Sequence, residues 1–193
     1  DEYLGLAPNH AQSYRSYMNR TLFDHIDIDL SNTYVPECFD DNFDSACSSY
    51  ENEINKRGGI GLQLLGVGSN GHIGFNEPTS SFQSRTRVKT LTKSTLTQNA
   101  RFFEASEKQP SLAITMGIGT IMEAENILLI GLGKHKSKAV ADVIEGPLSA
   151  FCPGSILQNH PNATIVIDKL AASDLELYDY YIQTEKMKSK YNC

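Results

Sequence analysis

Tryptophan is absent from this 193-residue chain, and no stretch is apolar for long enough to cross a membrane as a helix. An excess of positive charge is lacking too: 17 Lys+Arg stand against 23 Asp+Glu, a net charge of −6. That balance argues against a general nucleic-acid binder. An anionic ligand must therefore be held by a local basic patch on an acidic protein. Cysteine is scarce. Cys38, Cys47, Cys152 and Cys193 form no CxxC pair and have no His at zinc-finger spacing. They read as reduced thiols of a cytoplasmic protein, with a Cys38–Cys47 disulfide as the less favoured alternative. The opening Asp1-Glu2-Tyr3-Leu4 has no initiator Met and none of the basic and apolar regions of a signal peptide, as in a processed protein or a piece of a longer one.

What is present is a globular composition. Hydrophobic residues make up 40% of the chain, which excludes a disordered spacer, and the length suits one α/β domain with a real core. Helical spacing predicts a helix from Asn9 to about Phe23, and another from Ser45 to Arg57 stopped by Gly58-Gly59. Further helices are expected over Thr92–Phe103, Gly117–Ala124, Lys134–Ile144 and Ala171–Lys188. Strands are expected at 60–65, 85–91, 112–115, 126–130 and 163–168, several of them as unbroken apolar runs. Strands of that kind alternating with helices predict a mostly parallel sheet flanked by helices and covered on both faces, a single α/β domain over 1–193.

In such sheets ligands bind beyond the carboxyl ends of the strands, so the loops there matter most. The first runs GVGSNGHIGFNEP from Gly66 to Pro78. Its start matches GxGxxG, but Gly74 and Pro78 interrupt the helix a dinucleotide site needs. No acidic residue follows near the expected ribose position either. A small polar ligand fits better. His72 can carry protons near neutral pH, Glu77 can fix its tautomer, and Asn70 can orient the ring without adding charge. The plainer alternative is an ordinary loop histidine beside a solvated glutamate.

The second loop, Gly131 to Lys136, joins the clearest strand to a helix whose start is crowded by Lys134, Lys136 and Lys138. Cations oppose the macrodipole there, and a bound phosphate would offset that repulsion. The loop is no Walker A motif, because His135 follows Lys134. Arg101 can reach the same anion from the preceding helix. Lysines pointing into water are the alternative.

Taken in order, the segments Asp1–Leu6, Gly66–Pro78, Ser84–Thr90, Asn99–Phe103 and Thr115–Thr120 resemble the glucosamine-6-phosphate deaminase family over nearly the whole chain. The GHIxFNEP signature is the most specific of them. The resemblance implies a Rossmann-like fold, a homo-oligomer (often a hexamer), and no metal or organic cofactor. It also implies conversion of D-glucosamine 6-phosphate and water to D-fructose 6-phosphate and ammonia, an enzyme grouped with the hydrolases that acts as an aldose–ketose isomerase/deaminase. By the same resemblance His72 opens the pyranose ring with Asn70 and Glu77 assisting. Asp1 moves a proton between C2 and C1, and Arg101 and Lys136 hold the phosphate. Ser80, Arg87, Lys89 and Thr90 match the basic part of an allosteric site for N-acetylglucosamine 6-phosphate, while the tyrosine used by such members aligns with Ile182, next to Tyr181. The sugar phosphate is the expected partner, with no nucleic acid and no membrane. The family's first strand and its phosphate loop should precede Asp1, so the sequence reads as an N-terminally incomplete piece. Two other readings are a 6-phosphogluconolactonase-like hydrolase and a non-catalytic sugar-phosphate sensor.

Overall fold

The computed structural model describes residues 1–38, 42–104 and 107–191. The clearest apolar runs build a parallel sheet: β2 (Leu62–Gly66), β5 (Asn126–Gly131) and β6 (Ala163–Ile167), in the order β2-β5-β6. Leu64 sits opposite Leu128, and Ile130 opposite Val166. The inward residues Leu65, Ile127 and Leu129 pack on Ala139, Val140 and Val143 of α5 (Ser137–Ile144) and on Ile118 and Ile121 of α4 (Ile118–Met122). Each leucine, isoleucine or valine so buried contributes about 1.5–3 kcal/mol, which is what closes this core.

Among the described residues the two faces of this sheet are not covered alike. Along β2 the outward Leu62 and Leu64 are 61% and 60% exposed while Leu65 between sheet and helices is 7% exposed, and Ile130 and Val166 are exposed on the same outward side. An unbroken apolar run hides this alternation, because strand side chains point to opposite faces whatever their polarity. Leu65→Ala is expected to cost about 2–5 kcal/mol by opening a core cavity. The double change Leu62→Gln and Leu64→Gln should stay within about 1 kcal/mol. Urea unfolding of the two variants, with dye binding to report the exposed apolar patch, checks both.

The remaining strands form a separate antiparallel sheet, β1-β4-β3, from β1 (Glu2–Tyr3), β3 (Arg87–Thr90) and β4 (Leu112–Thr115). The two-residue β1 carries no pattern to read. Strand β3 alternates Arg87 and Lys89 with Val88 and Thr90, which suits an antiparallel edge better than a doubly buried strand. Glu2 pairs with Ile114, so Asp1 lies beside Thr115 at the end of β4.

Several helix boundaries move for local reasons. The first helix, α1, spans only Tyr14–Thr21, because Ser13 caps it: its hydroxyl accepts from the Ser16 amide and donates to the Pro8 carbonyl. The next, α2 (Phe43–Lys56), begins on the Asn42 cap and ends where Gly58 and Gly59 take φ of +87° and +93°. α3 is Lys93–Asn99, followed by a 3₁₀ turn over Ala100–Phe102. A 3₁₀ turn over Lys134–Lys136 likewise precedes α5. The expected closing helix is broken. A 3₁₀ turn covers Ala171–Asp174, the Glu145 carboxylate then takes the Glu176 and Leu177 amides, and α6 runs from Tyr178–Tyr191.

Cys38, Cys47 and Cys152 are free thiols, so the Cys38–Cys47 bridge is not formed, and Cys193 lies outside the described residues. Among the described residues no helix is long and apolar enough to cross a membrane.

Candidate active site

Parallel neighbours end at the same edge, so the loops after β2 and β5 lie side by side. The GxGxxG segment does not open into a helix; the next one, α3, begins at Lys93. It folds back instead: the Gly68 amide donates to the His72 carbonyl at 2.8 Å, and Gly71, with φ of +80°, donates to the Gly68 carbonyl at 3.0 Å. A Cβ at position 68 would stand 2.3–2.4 Å from three atoms of the His72 ring. That glycine lets the imidazole lie against the backbone, and this geometry removes the dinucleotide reading.

Behind the imidazole sits a carboxylate cluster. His72 Nδ1 is buried without an aligned hydrogen bond and faces Glu77 Oε2 at 3.4 Å, an ion-pair separation. Glu77 is 2% exposed. Asn70 Nδ2 donates to the same Oε2 at 2.9 Å, while Asn70 Oδ1 accepts from the His72 amide at 3.3 Å. Oε1 accepts from Thr95 Oγ1 at 2.5 Å and Thr92 Oγ1 at 3.1 Å. Burial alone would raise the Glu77 carboxyl. The contacts from His72, Thr95 and Asn70, with the His72 charge, overcome that and hold it at about 2.

A carboxyl at about 2 in the fold, against an ordinary 4.5, contributes stability that is fully present above about pH 4.5 and lost as pH falls through about 2. Between those limits the wild type is expected to lose on the order of 3 kcal/mol more than Glu77→Gln, in urea unfolding repeated across that pH range.

Asp1 approaches from the other sheet. Its Oδ1 accepts from Thr115 Oγ1 at 2.7 Å and from the Met116 amide at 3.2 Å. Thr115 Oγ1 in turn accepts from the Phe75 amide at 2.9 Å, tying β4 and Asp1 to the His72 loop. Asp1 Oδ2 lies over Gly74, 3.2 Å from where a Cβ would stand.

Asp1, His72, Arg101 and Lys136 line one cavity of about 310 Å³, with Thr95 and Gln98 also on its wall. Of the three crowded lysines, Lys134 pairs with Asp174 at 2.6 Å and Lys138 with Asp142 at 3.1 Å. Lys136 alone of them reaches the cavity, where burial and then the charge of Arg101 push its ammonium down. Two cations that repel each other across a polar cavity are suited to an anion between them.

Asn70 and Glu77 stand behind the ring rather than on the cavity wall. Ser80, Arg87, Lys89 and Thr90 do not line it either. Ser80 Oγ donates to the Glu77 carbonyl at 2.7 Å, and Arg87 donates to Asn76 Oδ1 at 3.0 Å, so both brace the back of the loop. Lys89 and Thr90 lie on β3. Thr92, Thr95, Thr115 and Asn76 are contacts that sequence reasoning missed. The Thr92-x-x-Thr95 spacing at a helix start was the one available signal, and it speaks for a cap alone. Among the described residues no group of three or more His, Cys, Asp or Glu side chains could hold a metal ion.

The family of glucosamine-6-phosphate isomerases/6-phosphogluconolactonase matches residues 4–166. The chain belongs to that family. A glucosamine-6-phosphate deaminase of Shewanella woodyi is 56% identical over 190 residues, covering 98% of this chain and 72% of the relative. The Hahella chejuensis enzyme of the same name is 55% identical, covering 97% and 72%. A solved structure of a monomeric glucosamine-6-phosphate deaminase superposes with a TM-score of 0.87 at 44% identity, over 90% of this chain and 72% of that one. The 6-phosphogluconolactonase of Trypanosoma cruzi shares the fold, with a TM-score of 0.66 at 20% identity over 91% and 70% of the two chains. The Rossmann-like α/β class expected of the family is therefore the class observed.

Proposed function

We propose that the chain is a glucosamine-6-phosphate deaminase, converting D-glucosamine 6-phosphate and water to D-fructose 6-phosphate and ammonia. Beside the relatives of that name, the observation supporting it most is the gathering of Asp1, His72, Arg101 and Lys136 from four separate segments onto one cavity. With Nδ1 buried against Glu77, His72 has Nε2 for the sugar. In this reading Nε2 takes the proton of the anomeric hydroxyl and returns it to the ring oxygen, opening the ring. The Asp1 carboxylate then removes the C2 proton and delivers it to C1. Water adds to the resulting C=N carbon, and ammonia leaves. Arg101 and Lys136 hold the phosphate, so binding energy remote from the reacting carbons keeps them in line with both groups.

The reaction is an aldose–ketose isomerisation with deamination, whatever class label it carries. Free thiols favour a cytoplasmic setting. A relative at 44% identity is monomeric, and sedimentation reads whether this chain forms the expected homo-oligomer. Ammonia release from glucosamine 6-phosphate, compared with acid release from 6-phosphogluconolactone, tests the reading; lactone hydrolysis without ammonia would overturn it. Arg101→Ala and Lys136→Ala are each expected to raise KM for the sugar phosphate about 10- to 100-fold by removing a charge-assisted contact. Initial-rate curves check this.

A further inference from the structure

We infer that Thr95, backed by Thr92, is a positioning residue that keeps the Glu77 carboxylate turned toward His72. The inference rests on the proton-relay role proposed above for His72.

Its basis is the inventory of groups around one buried carboxyl. Glu77 Oε2 faces His72 Nδ1 and accepts from Asn70; Oε1 accepts from Thr95 Oγ1, from Thr92 Oγ1 and, at 3.4 Å, from the Thr92 amide. Among the described residues His72 is the charged or titratable group that contacts it; Asn70, Thr92 and Thr95 are neutral. These side chains come from the His72 loop and from the start of α3. Every partner can donate, so the pocket is built for an acceptor-only, ionised carboxylate. A protonated Glu77 would have to turn one of these donors around.

Thr95 is the partner that matters most on the Oε1 side. It is 3% exposed, so water does not readily replace its hydroxyl. Thr92 has a second duty, since its oxygen also accepts from the Thr95 amide as the cap of α3. One hydroxyl pair thus starts the helix and fixes the carboxylate. Farther along the same helix, Gln98 donates to Ser69 Oγ at 2.8 Å and Asn99 to the Tyr3 hydroxyl at 2.9 Å. Helix α3 is therefore tied to the His72 loop through Gln98 and to β1 through Asn99, and the Oε1 partners ride on an anchored helix. Without the Thr95 hydroxyl, Oε1 loses a buried donor, the carboxyl moves up from about 2, and its second oxygen is no longer held toward Nδ1.

The test compares wild type, Thr95→Val and Thr95→Ser in ammonia release across pH. Thr95→Val is expected to lower kcat about 10-fold, with KM within about 2-fold, and to move the Glu77 carboxyl up by about one unit. Thr95→Ser should restore both, since it restores the hydroxyl. A Thr95→Val enzyme with an unchanged kcat would overturn the inference, as would a loss confined to KM or a serine variant that fails to restore kcat. Should the valine variant fold poorly, Thr95→Ala is measured in its place with the same expected shift. Titration of the Glu77 carboxyl by carbon NMR needs no turnover. An upward shift there in protein that releases no ammonia would sink the enzymatic reading and leave the positioning role standing, whereas no shift would sink the positioning role itself.

Discussion

His72→Gln is expected to lower kcat for ammonia release by about 100- to 10,000-fold, the range typical of a general acid–base group. Glutamine roughly preserves the volume lying on Gly68, and its amide can still donate to Glu77, so the loop should keep its shape. What it loses is the ability to gain and release a proton. The decisive readout is interconversion of the sugar's two anomers, followed by NMR, because that step needs ring opening and nothing after it. The variant should lose enzyme-catalysed anomer exchange together with ammonia release. Asn70→Asp offers the contrast. It replaces the donor at 2.9 Å from Glu77 Oε2 with a second carboxylate, and two such groups can share one proton or pair with His72. Its loss near neutral pH should stay below about 10-fold, with the acid limb displaced instead. Equal and large losses in both variants would show that the ring is not the relay.

The parts of the fold that could be read in the sequence are those where pattern and packing agree. Asn126–Ile130 reads as a core strand and forms the middle of the parallel sheet, since both its neighbours pair with it. Leu62 and Leu64 mislead because an apolar run says nothing about which face finds a partner, and among the described residues little covers theirs. Strand β1 is too short to show alternation, and the start of α1 is set by one serine hydroxyl rather than by the apolar spacing of Tyr14, Tyr17 and Met18. The candidate site divides in the same way. Residue types with few other uses in a loop, such as His72 among glycines or lysines at a helix start, stand out. Thr92, Thr95 and Thr115 do not, because a threonine suits a cap, a strand or a surface equally well. Each gains its role only when α3 and β4 close on the loop and bring its hydroxyl to a carboxylate far away in sequence.

Asp1→Asn is expected to separate the two proton transfers that the cavity brings together. Both donors to Asp1, Thr115 Oγ1 and the Met116 amide, point at Oδ1, so Asn can keep that side of the arrangement with its carbonyl oxygen. The group it loses is Oδ2 over Gly74, where an amide nitrogen has no basic lone pair to accept a proton from carbon. Turnover should therefore fall by about 100- to 10,000-fold while KM changes little, because the phosphate cations are untouched. Anomer exchange should persist, since His72 and Glu77 are intact. In deuterium oxide, exchange of the proton held on Asp1 before its delivery should place solvent deuterium at C1 of part of the wild-type product, and the variant should show none. If the variant loses anomer exchange as well, Asp1 shapes the cavity rather than serving as the base at carbon. If it keeps both turnover and solvent incorporation, another group performs the enolisation.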